Sequence, residues 1–141
     1  MDSSPQPSAA TRPDPIVTAD AAFFWEGAKC GELLAQRCAS CGDLQHPPRP
    51  MCPRCHSVDR ELVRLSGRGK VDSWIIPRHP PALGFAQPPI VALIRLEEGI
   101  RLVSNLVGFA DGQVAISVEV EVQFDLTVGG FAVPVFRPRT G

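Results

Sequence analysis

Four of the five cysteines fall into two pairs, Cys38-x2-Cys41 and Cys52-x2-Cys55, with ten residues between the pairs. Two residues between cysteines let both sulfurs reach one ion ~2.3 Å away, while the N–H groups of the intervening turn donate to the thiolates. Gly42 follows the first pair and suits a turn through positive φ; His56 stands at the equivalent place after the second. Tetrahedral zinc held by Cys38, Cys41, Cys52 and Cys55 is the favoured reading. Two disulfides suit an oxidising compartment, which nothing else in the chain suggests. A rubredoxin-type iron centre or exchange-active thiols share the spacing and stay open. Four thiolates complete a tetrahedral shell and leave no corner for water or substrate, so the ion is read as structural. It should supply much of the folding energy between residues 30 and 58, where apolar side chains are few.

The remaining candidates for chemistry are weaker. Cys30 lies outside the pair spacing and is expected to be buried as a small hydrophobe. His46 and His56 sit inside the cysteine segment as lesser candidate ligands. His79, in Pro77-Arg78-His79-Pro80-Pro81, lacks an evident carboxylate partner for general-base work. Ser66-Gly67-Arg68-Gly69-Lys70 has the look of a phosphate loop but precedes a strand pattern, not a helix, so it reads as a bend or bulge in a sheet wall. No nucleophile-elbow, P-loop or dinucleotide fingerprint occurs.

The elements that must position these residues are mostly strands. Residues 1–17 are rich in Pro and Ser and predict an unstructured tail. A short helix is expected over Asp20–Ala28, capped by Thr18 or Asp20 and carrying Phe23, Phe24 and Trp25. Three adjacent aromatics cannot all face one core, so at least one is available to a partner. A strand over Leu33–Arg37 enters the first cysteine pair. Beyond residue 60 the pattern turns to β, with strands expected at Glu61–Leu65, Val71–Ile76, Ile90–Leu96, Ile100–Leu106 and Ala132–Phe136. Strict alternation from Val114 to Asp125 predicts one long strand there. Glu97-Glu98-Gly99 predicts a tight hairpin. The division is therefore a tail over 1–17, helix and metal module over 18–60, and a mostly-β barrel of five strands over 61–141.

Composition narrows the function. The 141 residues are 44% hydrophobic and 21% charged, enough for a packed core. The formal net charge is −1, and only residues 29–70 are net basic, at +4. A dedicated nucleic-acid module needs a basic groove with stacking aromatics; the barrel half is net −2 and the chain has no Tyr. The longest charge-free stretch, Pro80–Ile94, contains four prolines and cannot be a membrane span. No basic region followed by an apolar run marks the N-terminus, so the expected location is the cytoplasm.

Several runs together carry a resemblance. They are Phe24-Trp25-Glu26-Gly27, Gln36-Arg37-Cys38-x2-Cys41-Gly42, Pro47-Pro48-Arg49-Pro50-x-Cys52-Pro53-x-Cys55, Ser66-Gly67-Arg68-Gly69-x-Val71-x-Ser73-Trp74 and Leu102-Val103-Ser104-Asn105-Leu106-Val107-Gly108. Over about residues 20–137 the chain resembles the family of acyl-CoA-associated proteins that join a rubredoxin-like zinc ribbon to an OB-fold. The resemblance implies a helix, a ribbon and an OB barrel. It also implies a non-catalytic subunit that binds a thiolase-like aldolase or an acyltransferase and helps form its acyl-CoA channel. Some members are similar to the small subunit of aldolases that shorten steroid side chains by retro-aldol cleavage. There a thiolase-like chain of the lipid-transfer-protein type holds the catalytic residues, and a hot-dog-fold hydratase can be fused or paired. The family often has an aromatic where His46 stands, and a Gly-rich turn where Ala115-Ile116-Ser117-Val118 runs. Partner contacts are expected from Phe23, Phe24, Trp25, Arg49 and Trp74, since aromatic and Arg side chains anchor interfaces. Phosphates of CoA are expected near Arg49, Arg54, Arg64, Arg68, Lys70 or Arg78.

Overall fold

Alternating Val, Ile and Leu in the second half build the expected sheet. The computed structural model describes residues 12–110 and 112–140. In chain order the elements are α1 (Ala22–Lys29), β1 (Leu34–Cys38), β2 (Leu44–Gln45), β3 (Arg60–Arg64), β4 (Arg68–Ile75), β5 (Ile90–Leu96), β6 (Arg101–Leu106), β7 (Glu119–Leu126) and β8 (Ala132–Pro138). Strands β2-β1-β3 form a small antiparallel sheet. Strands β4 to β8 close a barrel in the order β4-β5-β6-β8-β7, with β7 pairing back onto β4. The β6·β8 pair runs parallel and the others antiparallel. This five-strand closure is the OB architecture expected from the sequence. The β5–β6 hairpin turns at Gly99, with φ +96°, where Gly99 N–H donates to Leu96 O at 2.9 Å.

Inside the barrel Val71, Ile94, Val120 and Phe136 are fully buried. The same apolar cluster takes in Phe24 from α1, Leu33 and Ala35 beside and on β1, and Leu65 after β3. Helix α1 packs on both β8 and β1, so the ribbon sheet and the barrel share one core. Gly27 makes that approach possible: a Cβ there would stand 2.6 Å from Leu34 Cδ1.

Five expectations need correction. The long strand predicted from Val114 begins only at Glu119. Ser117 sits at φ +68°, its N–H donates to Val71 O at 2.8 Å, and Val71 N–H donates to Val118 O at 3.1 Å. The chain therefore turns against β4 over residues 115–118, and Ile116 is 61% exposed despite its place in the alternation. The register shift lies between Val71 and Ser73, so the bulge is not at Gly67 or Gly69, while Gly67 takes φ +78° just before β4. The two glycines allow close approach instead: a Cβ on Gly67 would collide with Val122 Cγ1, and one on Gly69 with the Arg95 carbonyl.

Helix α1 starts two residues later than expected, and neither Thr18 nor Asp20 caps it with a side chain. Ala21 is the N-cap; a turn from Thr18 O to Ala21 N–H, at 3.2 Å, brings the chain in. Cys30 is exposed, because the chain swings off the helix at Gly31, φ +78°, before it reaches the core. Of the expected tail, residues 1–11 lie outside the described residues, and residues 12–17 are held against the barrel. Arg12 donates to Asn105 Oδ1 at 2.5 Å and lies 5.0 Å over the Phe85 ring. Asp14 Oδ1 accepts from Thr127 Oγ1 at 2.5 Å and from Gly129 N–H at 2.8 Å. The pairing is long-range, invisible to a local composition argument. Among the described residues no helix is long and apolar enough to cross a membrane.

Candidate metal centre and its surroundings

Strand β1 delivers Cys38 to the end of the small sheet, and the chain then wraps back. Gly42 N–H donates to Cys38 O at 2.9 Å and Cys41 N–H to Cys38 Sγ at 3.5 Å. The second knuckle repeats the form: His56 N–H donates to Cys52 O at 2.9 Å and Arg54 N–H to Cys52 Sγ at 3.4 Å. Gly42 has φ +78° and His56 φ +66°, so the two turns share one backbone shape with a costlier residue in the second. Ala39 N–H to Asp59 O, at 3.0 Å, binds the first knuckle to the strand that leaves the second.

The four sulfurs converge. Cys38 Sγ lies 3.5 Å from Cys55 Sγ and Cys41 Sγ 3.7 Å from Cys52 Sγ, and all four lie within 4.8 Å of one another. A tetrahedron of Zn–S bonds ~2.3 Å long has edges of about 3.8 Å, so these spacings suit one central ion and are far beyond a disulfide bond. Cys38 and Cys52 are buried, whereas Cys41 and Cys55 face outward. The Cys41 N–H holds the Cys38 thiol below its usual range. Burial pushes the Cys52 thiol up, but the N–H groups of Cys55 and Arg54, with Cys41 and Gln45, outweigh it and hold it at about 6. At Cys41 the Asp43 N–H acts downward, and burial with the neighbouring sulfurs prevails, pushing it up to about 12. Such a cluster is short of positive charge, which a dication supplies. The donor set is that of a structural zinc, closed by four thiolates.

Two residues without a sequence-derived role stand directly behind the sulfurs. Gln45 donates its Nε2 to Cys52 Sγ at 3.0 Å, and Gln36 donates its Nε2 to Gln45 Oε1 at 2.9 Å. Both are buried, at 7% and 3% exposure. In the sequence Gln36 stands out only as part of the Gln36-Arg37-Cys38 run, and Gln45 not at all.

The aromatic group on α1 divides by burial. Phe24 is buried, edge-on to Trp25 at 5.0 Å and 5.6 Å from the His46 ring. Phe23 is half-buried beneath the Arg60 guanidinium, 4.9 Å from its ring centre. Trp25 is half-buried between two open apolar grooves. One, of about 450 Å³, is shared with His46, Leu102 and Pro134; the other, of about 310 Å³, with Val17 and Phe131. Burial holds His46 below the usual histidine range. Arg49 is exposed beside the ribbon, its backbone N–H and C=O both bound by Gln36. Trp74 sits on β4 opposite Ala92 and makes no ring contact with the helix aromatics among the described residues.

The basic residues expected near CoA phosphates are dispersed over several elements. Arg54, on the second knuckle, pairs with Asp43 at 3.8 Å, and Arg64, on β3, with Glu32 at 3.7 Å. Arg68 and Lys70 both lie on β4, and Lys70 lines a hollow of about 210 Å³ with Arg95 and Arg139. Arg78 is exposed in the β4–β5 loop. His79, also exposed, lies beside it, and His56 faces outward from its knuckle.

Residues 25–59 match the model of the rubredoxin-like zinc ribbon domain of ChsH2, and residues 62–125 that of the ChsH2 C-terminal OB-fold domain. The solved Ltp2-ChsH2(DUF35) aldolase contains a chain that superposes with a TM-score of 0.83 at 44% identity, over 89% of this chain and 98% of that one. The chain belongs to the ChsH2 family of DUF35 proteins. It is 45% identical, over 92% of its length, to a probable enoyl-CoA hydratase alpha subunit of Thermomonospora curvata. It is 40% identical, over 78%, to the 3-oxo-4,17-pregnadiene-20-carboxyl-CoA hydratase alpha subunit of Mycobacterium tuberculosis. It spans only 40% and 35% of the length of those two proteins. A benzoylsuccinyl-CoA thiolase subunit of Thauera aromatica is 36% identical over 69% of this chain and 63% of its own length.

Proposed function

We propose that this ChsH2-family chain is a non-catalytic accessory subunit. It binds a thiolase-like aldolase of the lipid-transfer-protein type and helps form that enzyme's acyl-CoA channel. The work is degradation of a steroid side chain by retro-aldol cleavage, in the cytoplasm. The observation that carries this reading is the match to almost the whole ChsH2(DUF35) chain of a solved aldolase at 44% identity. The M. tuberculosis relative named for a pregnadiene carboxyl-CoA supports a steroid acyl-CoA. On this chain the closed shell of four thiolates offers no coordination site for chemistry. Phe23 and Trp25, half-buried on α1, with Arg49 and Trp74, are the side chains offered to the partner. Lys70, with Arg68 near it on β4, is offered to CoA phosphate.

The test is co-expression with a thiolase-like chain of this type, followed by light scattering and assay of a β-hydroxy steroid acyl-CoA. A stable hetero-complex that cleaves the substrate, with this chain alone inert, is expected. Turnover by this chain alone, or equal turnover by the partner without it and no complex, overturns the reading. A complex that transfers acyl groups but performs no retro-aldol cleavage selects the second reading, a scaffold of a thiolase or acyltransferase that hands on acyl-CoA. The relative named as a thiolase subunit motivates that second reading, and the aldolase match at 44% identity stands against it.

A further inference from the structure

A string of hydrogen bonds runs from the metal thiolates to the start of helix α1, and its direction is dictated at both ends. Cys52 bound to a cation has only lone pairs to offer, so Gln45 must turn its NH₂ toward the sulfur, 3.0 Å away. That leaves Gln45 Oε1 facing Gln36, which must answer with its own NH₂ at 2.9 Å. Gln36 Oε1 is then left for donors alone, and two are present: the Arg49 N–H at 3.0 Å and Arg60 Nη1 at 2.9 Å. The second hydrogen of Gln36 Nε2 goes to Arg49 O at 3.1 Å. Beyond Gln36, Arg60 Nη1 also donates to Asp20 O at 3.2 Å, and the guanidinium covers the Phe23 ring. Each of the two amides lies in the interior, where flipping either would set donor against donor or acceptor against acceptor.

We infer that Gln45 and Gln36 are positioning residues that couple the Cys52–metal bond, through Arg60, to the setting of α1 and its Phe23 face. The thiolate orders Gln45, Gln45 orders Gln36, and Gln36 fixes where Arg60 can hold both the Asp20 carbonyl and the Phe23 ring. The same Gln36 grips both backbone groups of Arg49, so the loop after β2 is set by the same amide. If α1 is the partner face proposed above, metal loading prepares that face for docking. The coupling itself belongs to the isolated chain and is measured there.

The experiment uses the full chain loaded with cobalt(II), whose thiolate-to-metal absorption reports the sulfurs, and measures affinity by chelator competition. Gln45→Met keeps the volume and removes the hydrogen bonds to Cys52 Sγ and Gln36 together with a longer one to Asp43 Oδ2 at 3.4 Å; it should shift the absorption band and weaken metal binding about 10-fold, the low end for a group that orients a ligand. Arg60→Met, at the far end, should also weaken binding, by a smaller factor. The double variant should lose less than the product of the two factors, because the first break already uncouples the second. Hydrogen exchange at residues 20–24 of loaded Gln45→Met should rise above wild type. If Gln45→Met does not fold, Gln36→Met and Arg60→Met carry the same comparison. Unchanged spectrum and affinity in Arg60→Met, or strictly multiplicative losses in the double variant, overturn the inference whatever becomes of the partner.

Discussion

Replacing Gly67 by alanine tests whether Ser66–Lys70 is a bend in the barrel wall. The backbone at Gly67 has φ +78°, where an L side chain costs roughly 1–2 kcal/mol. The new methyl would run into Val122 Cγ1 and lie 3.3 Å from Val122 Cβ, an overpacking that adds about 1–3 kcal/mol. The sum, ~2–5 kcal/mol, is a large part of a typical domain's stability and should lower the melting temperature by on the order of 10 °C. The two parts are separable. Truncating the neighbour, Val122→Ala, removes the collision but not the backbone strain. Urea unfolding with zinc saturating, followed by tryptophan emission, should show the double variant less destabilised than the sum of the singles by about 1–3 kcal/mol. Additivity within about 0.5 kcal/mol, or a Gly67→Ala cost below that, would refute the packing argument. A phosphate loop would instead lose anion binding with its stability intact.

Three further outcomes are expected. Cys41→Ser opens the metal shell and forfeits much of a zinc contribution on the order of 10 kcal/mol; hydrogen exchange should rise first over residues 38–59, and an unchanged melting profile would contradict it. Burial holds His46 below the ordinary value of 6.5, so the unfolded chain takes the proton first. Its contribution to stability is complete above pH 6.5 and is lost as pH falls through the window beneath that value, so unfolding midpoints at about pH 7.5 and 5.5 should differ more in wild type than in His46→Phe. Asp14→Ala leaves the buried Thr127 hydroxyl without its acceptor and hands the exposed Gly129 N–H to water, at a cost of about 1–2 kcal/mol, and should expose residues 12–17 to limited proteolysis ahead of global unfolding.

What could be read from sequence was local in origin. The cysteine pairs declare themselves because the geometry of a knuckle is contained in five consecutive residues, down to the positive φ at Gly42 and His56. Strands β5 and β6 and their turn at Gly99 follow for the same reason. Apart from Cys30, exposed by the turn at neighbouring Gly31, the losses were non-local. Val114 to Val118 alternates like a strand, yet the backbone groups of Val71 draw it into a turn. The family often has a Gly-rich turn there and this chain lacks the glycines, so the run reads as a departure, yet the chain turns at Ala115–Val118 all the same. Thr18 and Asp20 looked like caps, but the Asp20 carbonyl answers to Arg60, forty positions on. Arg12 and Asp14 belong to a segment of tail-like composition, and their hydrogen-bond partners Asn105 and Thr127 lie more than ninety residues away. Gln36 reads as an ordinary polar strand residue and Gln45 as a loop residue, because nothing local shows that they lie behind a sulfur.

Phe24, Leu33, Ala35 and Leu65 merge with the barrel lining in one apolar mass, and this ties the fate of the two matched family segments together. A cut between Asp59 and Leu62 would leave a bare hydrophobic wound on each fragment. Once the knuckles let go of their ion and slacken, the barrel loses the lid that Phe24 and Leu33 place over it. The endurance of strands far from any cysteine is thus tied to an ion they never touch.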